Sequence, residues 1–187
     1  MSNTKIWTLW KDEKINDEEA RLLKRPADEI PIPFDDEGKK DIKTLVNAFL
    51  ERDDAYGLAA PQIGISKRIV AFRRRGLDEG TRTKTEEDYD VLINPRITQS
   101  RGEKEKTTEG CLSCPEINVE VSRFSEIKVR AYDVHGNKIN KRYTGLLARI
   151  VQHELDHLEG KLIIDHEGAL YYPRKKQKFF EKLFTDK

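Results

Sequence analysis

His153-Glu154-Leu155-Asp156-His157 carries the most specific chemistry in this sequence. Histidines at positions i and i+4 stand one turn apart on the same face of an α-helix, so both imidazoles can reach a single metal ion. Glu154 lies beside that face. It can take a proton from a water activated by such an ion without being a ligand. The chemistry of this HExxH spacing is metal-assisted hydrolysis.

The flanking residues predict the helix. Thr144 is a good N-cap and Gly160 a good stop just past the C-terminus. Between them Leu147, Ile150, Val151, Leu155 and Leu158 form an apolar face at helical spacing. His153 and His157 border that face, while Gln152 and Asp156 read as supporting or exposed positions. A hydrolytic metal site needs three protein ligands and one open position. Ile163 stands where a downstream third histidine would fall, which excludes the three-histidine subclass. Glu167, Glu181 and His166 are candidates downstream. Cys111 is the preferred one, because thiolate is a strong ligand for Zn²⁺ and Fe²⁺. Cys114 raises a rival, a closed structural Cys₂His₂ zinc site. The long gap from Cys114 to His153 opposes it, and on an extended segment residues three apart would face opposite sides.

The elements that must position these residues follow from periodicity. A short helix is expected over Asp17–Lys24, ending before Pro26, and an extended stretch over Ile30–Pro33. A second helix is expected from about Glu37 to Asp53, where Ile42, Leu45, Val46, Phe49 and Leu50 make an amphipathic stripe. Strands are expected at Arg68–Phe72, Asp90–Ile93, Asn118–Val121 and Glu126–Tyr132, with a His135-Gly136-Asn137 turn leading into Lys138–Tyr143. Arg73–Asp88 and Ser100–Thr107 read as exposed loops. A short strand is expected at Leu162–Asp165, and a final helix from Pro173 with Phe179, Phe180, Leu183 and Phe184 opposite a basic face. Helices at both ends of a run of antiparallel strands predict an α+β fold, with antiparallel sheets packed around the central metal-binding helix.

The 187 residues suit one catalytic domain spanning residues 1–187. Charged residues are 37% of the chain, yet the formal net charge is only +1, so nothing in the balance argues for DNA or a membrane surface as partner. There is no signal-like or membrane-length apolar run, and the cysteine count does not suit a secreted disulfide framework. A cytoplasmic location is expected.

Three separated segments carry a family resemblance. Gly57-Leu58-Ala59-Ala60-Pro61-Gln62, Glu109-Gly110-Cys111-Leu112-Ser113 and Gln152-His153-Glu154-Leu155-Asp156-His157-Leu158-Glu159-Gly160 resemble, in this order, the three motifs of the peptide deformylases. The resemblance implies an α+β enzyme that removes the formyl group from the N-terminal formyl-methionine of newly made polypeptides. It implies one divalent metal held by Cys111, His153 and His157, with Fe²⁺ favoured and Zn²⁺, Ni²⁺ or Co²⁺ possible. Glu154 is then the acid/base, and Gln62 with the backbone N–H of Leu112 stabilises the developing oxyanion. Tyr56, Gly57 and Gly110 hydrogen bond the peptide. The basic face of the final helix could touch the ribosome, as in some relatives. An HExxH endopeptidase is the alternative enzyme. Ala55 replaces the first glycine of the first motif, and Cys114 stands where an aliphatic residue is usual.

Overall fold

The computed structural model describes residues 4–75 and 85–185. A small ribbon of β1 (Trp10–Lys11) and β2 (Lys14–Ile15) precedes α1 (Asp17–Leu23) and α2 (Asp36–Leu50). The main sheet then forms from β3 (Gly57–Ala59), β4 (Ile69–Arg73), β5 (Tyr89–Cys111), β6 (Cys114–Tyr132) and β7 (Lys138–Thr144), antiparallel and in that spatial order. Next come α3 (Gly145–Leu158) and β8 (Leu170–Tyr171), which pairs with β6, and finally α4 (Gln177–Thr185). This is the expected mixture of helix and antiparallel sheet, with helices at both ends.

The sheet is covered on both faces. Side chains alternate along a strand, so Ile69, Ala71 and Ile93 join Ile42, Leu45, Ala48 and Phe49 of α2 on one side. Val70, Phe72 and Leu92 join Ala148, Val151, Leu155 and Leu158 of α3 on the other. A third cluster closes the far end of the β5–β6 hairpin. There Phe180 of α4 packs edge-on against Trp10, ring centroids 5.6 Å apart, beside Leu162, Ile117 and Val121. The motif helix is therefore held against the sheet by its apolar face.

Gly160 stops α3 as expected. Its φ is +69°, and a Cβ there would lie 2.5 Å from the Lys24 carbonyl oxygen, so only glycine suits the position. Thr144 stands at the helix N-terminus but its hydroxyl caps nothing. Asp35, unread in the sequence, does cap α2, accepting from the Gly38 N–H at 2.7 Å.

Four expectations need correction. Ser100–Thr107 is not a loop. It lies within β5 and pairs with β6, with bulges between Ile97 and Gln99 and between Arg101 and Lys104. Both faces are exposed here and carry charge, so hydrophobic alternation is absent. A cross-strand contact, the Lys106–Glu120 ion pair (3.0 Å), takes its place. Asn118–Val121 and Glu126–Tyr132 are two parts of the single strand β6. Leu162–Asp165 is not a strand. Ile163–Asp165 makes a 3₁₀ turn whose Asp165 carboxylate accepts the Leu162 N–H at 2.8 Å. Pro173 does not open the final helix directly, because a 3₁₀ turn over Arg174–Lys176 intervenes. The expected loop after Arg73 falls largely on residues 76–84, outside the described residues. On its flanks Arg74 and Arg75 donate their N–H groups to the Asp88 carbonyl.

One buried polar contact gives a stability test away from the motifs. The Tyr143 hydroxyl donates to Asp90 Oδ2 at 3.0 Å, and Lys141 Nζ donates to Asp90 Oδ1 at 2.6 Å. Burial pushes the Tyr143 pKa up, reinforced by the Asp90 charge. A raised folded-state pKa contributes stability below the unfolded value near 10 and loses it as pH rises towards the folded value. At neutral pH Tyr143→Phe should cost about 1.5–3 kcal/mol, the range for a hydrogen bond to a charged group. Above pH ~10 the gap to the wild type should close by about 1.4 kcal/mol per pH unit. Urea melts of both proteins at pH 7 and 10.5 check this. A gap that stays constant would contradict the assignment.

Candidate metal centre

The helical spacing, β5 and the turn after it bring three donors together. The ligand atoms offered by Cys111, His153 and His157 all lie within 4.8 Å of one another, and no other such group of three or more was found among the described residues. Cys111 Sγ is 3.4 Å from His157 Nε2. The two imidazoles stand nearly perpendicular with ring centroids 5.2 Å apart. Cys111 is half-buried at the end of β5, and His157 is buried.

Glu109, two residues before Cys111 on β5, organises one ligand. Its Oε2 lies 2.9 Å from His153 Nδ1. Arg123 of β6 grips both carboxylate oxygens, at 2.7 and 2.8 Å, and Arg149 of α3 adds a contact of 2.7 Å. Burial disfavours the Glu109 carboxylate, but His153 and Arg123 outweigh it and hold its pKa down to about 2. A charged Glu109 requires the proton on His153 Nδ1, which leaves His153 Nε2 to face the centre. Burial also works against a charged His153, but hydrogen bonds to Cys111 and Glu109 raise its pKa well above the ordinary value. Cys111 moves the other way. The Cys114 hydrogen bond comes first, opposed by burial, and the charges and hydrogen bonds of the two histidines add to it. The result favours thiolate, the form a metal needs.

Glu154 is buried 4% exposed, and its Oε2 finds no hydrogen-bond partner in the structure. Burial raises its pKa, against the opposing effect of both histidines. Gly57 is in a strand, so its role is not the tight turn its type suggests. A Cβ on Gly57 would sit 2.3 Å from Glu154 Oε1. The missing side chain is what admits the carboxylate. Gln62 is also buried, on a 3₁₀ turn over Ala60–Ile63 that follows β3. Its Oε1 accepts the Ala59 N–H at 2.9 Å, which turns Nε2 towards Cys111 Sγ (3.9 Å) and Ser113 Oγ (3.2 Å). Leu112 lies in the turn between Cys111 and Cys114, Gly110 is exposed on β5, and Tyr56 is 43% exposed just before β3.

The downstream candidates are not part of this group. His166 Nε2 is instead 2.8 Å from Asp156 Oδ2, and Glu181 accepts from Gln177. The extended geometry assumed for Cys111–Cys114 is also wrong. The two cysteines are paired across the end of the β5–β6 hairpin, and Cys114 is adjacent to Cys111 but outside the group of three donors. Arg123, Ser113 and the role of Glu109 went unread. Arg123 is joined to Asp156 as well, at 2.8 Å. No local spacing signals that an arginine on β6 will meet a glutamate on β5 and an aspartate on α3. Gln152 clamps the backbone of Phe124 through both ends of its amide.

The donor chemistry fits a divalent metal. One thiolate and two imidazoles suit Zn²⁺ or Fe²⁺, and a held Nδ1 on one histidine is the usual support for such a ligand. His157 Nδ1 is buried without a hydrogen-bond partner, a second polar atom in this centre left unpaired.

Comparisons with known proteins give the chain its family and fold relatives. The family model described as Polypeptide deformylase matches residues 13–171. Peptide deformylase 2 of Rickettsia conorii is 34% identical over 158 residues, covering 81% of this chain and 77% of the relative. Peptide deformylase 1 of Clostridium perfringens is 43% identical over 129 residues, 67% of this chain and 81% of the relative. A peptide deformylase from Synechococcus elongatus, solved in complex with actinonin, superposes with a TM-score of 0.72 at 30% identity. That match covers 100% of this chain and 89% of the other. The Thermotoga maritima enzyme has a TM-score of 0.65 at 37% identity, with 79% and 92% covered.

Ion content after gel filtration tests the donor set without reference to activity. Cys111→Ser, His153→Ala and His157→Ala should each lose the ion, whereas Glu154→Ala should retain it. Glu109→Gln should bind it about 10–100-fold more weakly in a chelator competition, the usual cost of a lost support to a ligand. Full retention in Cys111→Ser would remove Cys111 from the set.

Proposed function

This chain belongs to the peptide deformylase family, metal-dependent hydrolases that remove the formyl group from nascent polypeptides, and we propose that its chemistry runs through the Cys111, His153 and His157 centre. The observation that carries this reading is the convergence of those donors beside an unpartnered Glu154 carboxylate and a directed Gln62 amide. We take residues 1–187 as one catalytic domain.

Cys111 Sγ and the two imidazoles would hold one divalent ion, Fe²⁺ by family resemblance, with Zn²⁺, Ni²⁺ or Co²⁺ able to replace it. Such an ion supplies Lewis acidity, lowering the pKa of a water and polarising the formyl carbonyl. Glu154 takes the proton from the attacking water. Its raised pKa suits a base that must also return that proton. As the formyl carbon becomes tetrahedral, negative charge grows on its oxygen. Gln62 Nε2 and the Leu112 N–H donate to that oxygen. The Gln62 amide is held in place before reaction, so little reorganisation is needed. Glu154 then passes the proton to the amine nitrogen as the C–N bond breaks, leaving formate and a free N-terminus.

β3 is the edge of the sheet. A peptide can add to such an edge as a further strand. Tyr56 and Gly57 on that side, with Gly110 on β5, are the groups we assign to backbone hydrogen bonds with the formyl-methionyl chain. We further propose a cytoplasmic enzyme that meets nascent chains at the ribosome. No helix among the described residues is long and apolar enough to cross a membrane. Arg174, Lys175, Lys178 and Lys182 are exposed, while Phe180 anchors α4 in the core. The basic face is thus free to meet RNA.

Formate release from a formyl-methionyl peptide tests the chemistry. Glu154→Ala should lower kcat about 10²–10⁴-fold with ion content unchanged, and Gln62→Ala about 10²–10³-fold. Wild-type turnover in Glu154→Ala would defeat its assignment. Cleavage within a denatured protein, with no formate released, would favour the endopeptidase reading. For the ribosome, replacing Arg174, Lys175, Lys178 and Lys182 by Glu should abolish low-salt co-sedimentation while leaving formate release intact. Undiminished co-sedimentation would end that proposal.

A further inference from the structure

Cys114 takes no part in the chemistry above, yet its position relative to Cys111 is tightly determined. Cys111 ends β5, Cys114 begins β6, and the two face each other as a cross-strand pair over the turn Leu112-Ser113. Directly opposed residues of an antiparallel pair have Cα atoms about 4.5–5.5 Å apart with side chains on one face. A disulfide needs about 4.4–6.8 Å. The turn is also pinned from outside. The Ser113 carbonyl accepts the Leu9 N–H at 2.9 Å, and the Pro115 carbonyl accepts Trp10 Nε1 at 3.2 Å. Gln62 Nε2 holds the Ser113 hydroxyl. The sulfurs are therefore kept together by the hairpin and its supports.

Access differs between them. Cys111 is half-buried, whereas Cys114 is fully buried among Leu9, Trp10, Ile117 and Leu162. A small oxidant therefore meets Cys111 before Cys114. The second sulfur sits behind the first as a ready partner. Neither cysteine is in a disulfide here.

We propose that Cys111 and Cys114 form a reversible disulfide when a hydroperoxide reaches the centre. The Cys111 thiolate attacks the terminal peroxide oxygen, the O–O bond breaks, and Cys111 becomes a sulfenic acid as hydroxide or alkoxide departs and takes a proton from water. Cys114 Sγ then attacks Cys111 Sγ, the S–O bond breaks, and the leaving hydroxide takes the Cys114 proton to become water. Two sulfurs have lost two electrons, and the peroxide has accepted them. Resting on the reading of Cys111 as a ligand, the consequence is release of the ion and protection of that sulfur. Without a resolving thiol, a sulfenic acid proceeds to sulfinic and sulfonic acids that thiols do not reverse. A dithiol reductant attacking the disulfide restores both thiols and the donor set.

The test uses the full chain loaded with Zn²⁺ and treated with hydrogen peroxide. Zinc release is followed with a chromogenic chelator, and the denatured protein is then alkylated and weighed intact. The expected wild-type product has lost two hydrogens and both alkylation sites, released its zinc, and recovers thiols and zinc uptake after dithiothreitol. In Cys114→Ala, or Cys114→Val where a larger side chain is needed to fill the buried site, Cys111 should instead gain oxygens. Dithiothreitol should then restore no zinc uptake. Oxygenated Cys111 with an unmodified Cys114 in the wild type would overturn the proposal. If the reduced wild type never takes up zinc, the ligand reading fails, while the mass still reports whether the disulfide forms.

Discussion

The centre depends on a single buried carboxylate. Glu109 joins three elements that are remote in sequence: its own strand β5, Arg123 on β6, and Arg149 with His153 on α3. A carboxylate this deeply buried would be costly alone. Two guanidiniums and an imidazole satisfy its oxygens with charge-assisted hydrogen bonds. The geometry has a chemical result. Because Glu109 stays ionised, His153 presents Nε2 rather than Nδ1 to the donors opposite. Because β5 carries both Glu109 and Cys111, the residue that orients one candidate donor also sets the position of another. Arg123 reaches on to Asp156, which holds His166. The back of α3 is therefore tied to β6 and to the chain beyond Gly160. Rotation of the helix would break all of these at once.

The apolar packing sets the depth at which this happens. Val70, Phe72 and Leu92 meet α3 along one face of the sheet, while Ile69, Ala71 and Ile93 meet α2 on the other. With β4 buried on both sides, the sheet cannot shift towards either helix. α3 then approaches β3 so closely that Glu154 occupies the volume a side chain at position 57 would need. Gly57 is thus a packing requirement of the Glu154 carboxylate itself. The Gln62 amide follows a similar logic at shorter range, since the Ala59 N–H three residues earlier fixes which end of the amide faces the centre.

Much of this was legible from residue types and spacing. The helix over Gly145–Leu158, its stop at Gly160 and the convergence of His153 and His157 follow from a 3.6-residue period, which one segment carries by itself. The α2 stripe was legible for the same reason. Three motifs located Gln62, Cys111 and Glu154 together. What escaped reading is what two segments create jointly. The outer part of β5 has no apolar alternation because neither face is covered, and only its pairing with β6 reveals a strand. Arg123 resembles any charged strand residue until β5 and α3 approach it. Cys114 seemed to face away from Cys111 because an extended chain was assumed. A two-residue turn instead returns it to the same face.

The unpaired atoms of the centre show how the fold supports a reactive arrangement. Glu154 Oε2 and His157 Nδ1 are both buried without a hydrogen-bond partner. Each such group costs about 1–3 kcal/mol. Other buried polar groups are satisfied, Asn94 by the Ile30 backbone, Gln152 by Phe124 and Asp90 by Tyr143 and Lys141, while Ser66 Oγ, Arg68 Nε and Glu126 Oε1 are buried unpaired as well. Glu154 Oε2 and His157 Nδ1 nevertheless stand together in the centre, on residues that the proposed proton transfer and ligation would use. Three apolar clusters surround it, and burying one large aliphatic or aromatic side chain contributes about 1.5–3 kcal/mol. A few of the fully buried residues in those clusters offset both orphaned atoms. The site can therefore remain underpaired in a stable fold, and under the proposed mechanism this leaves Glu154 Oε2 a free lone pair with which to accept a proton.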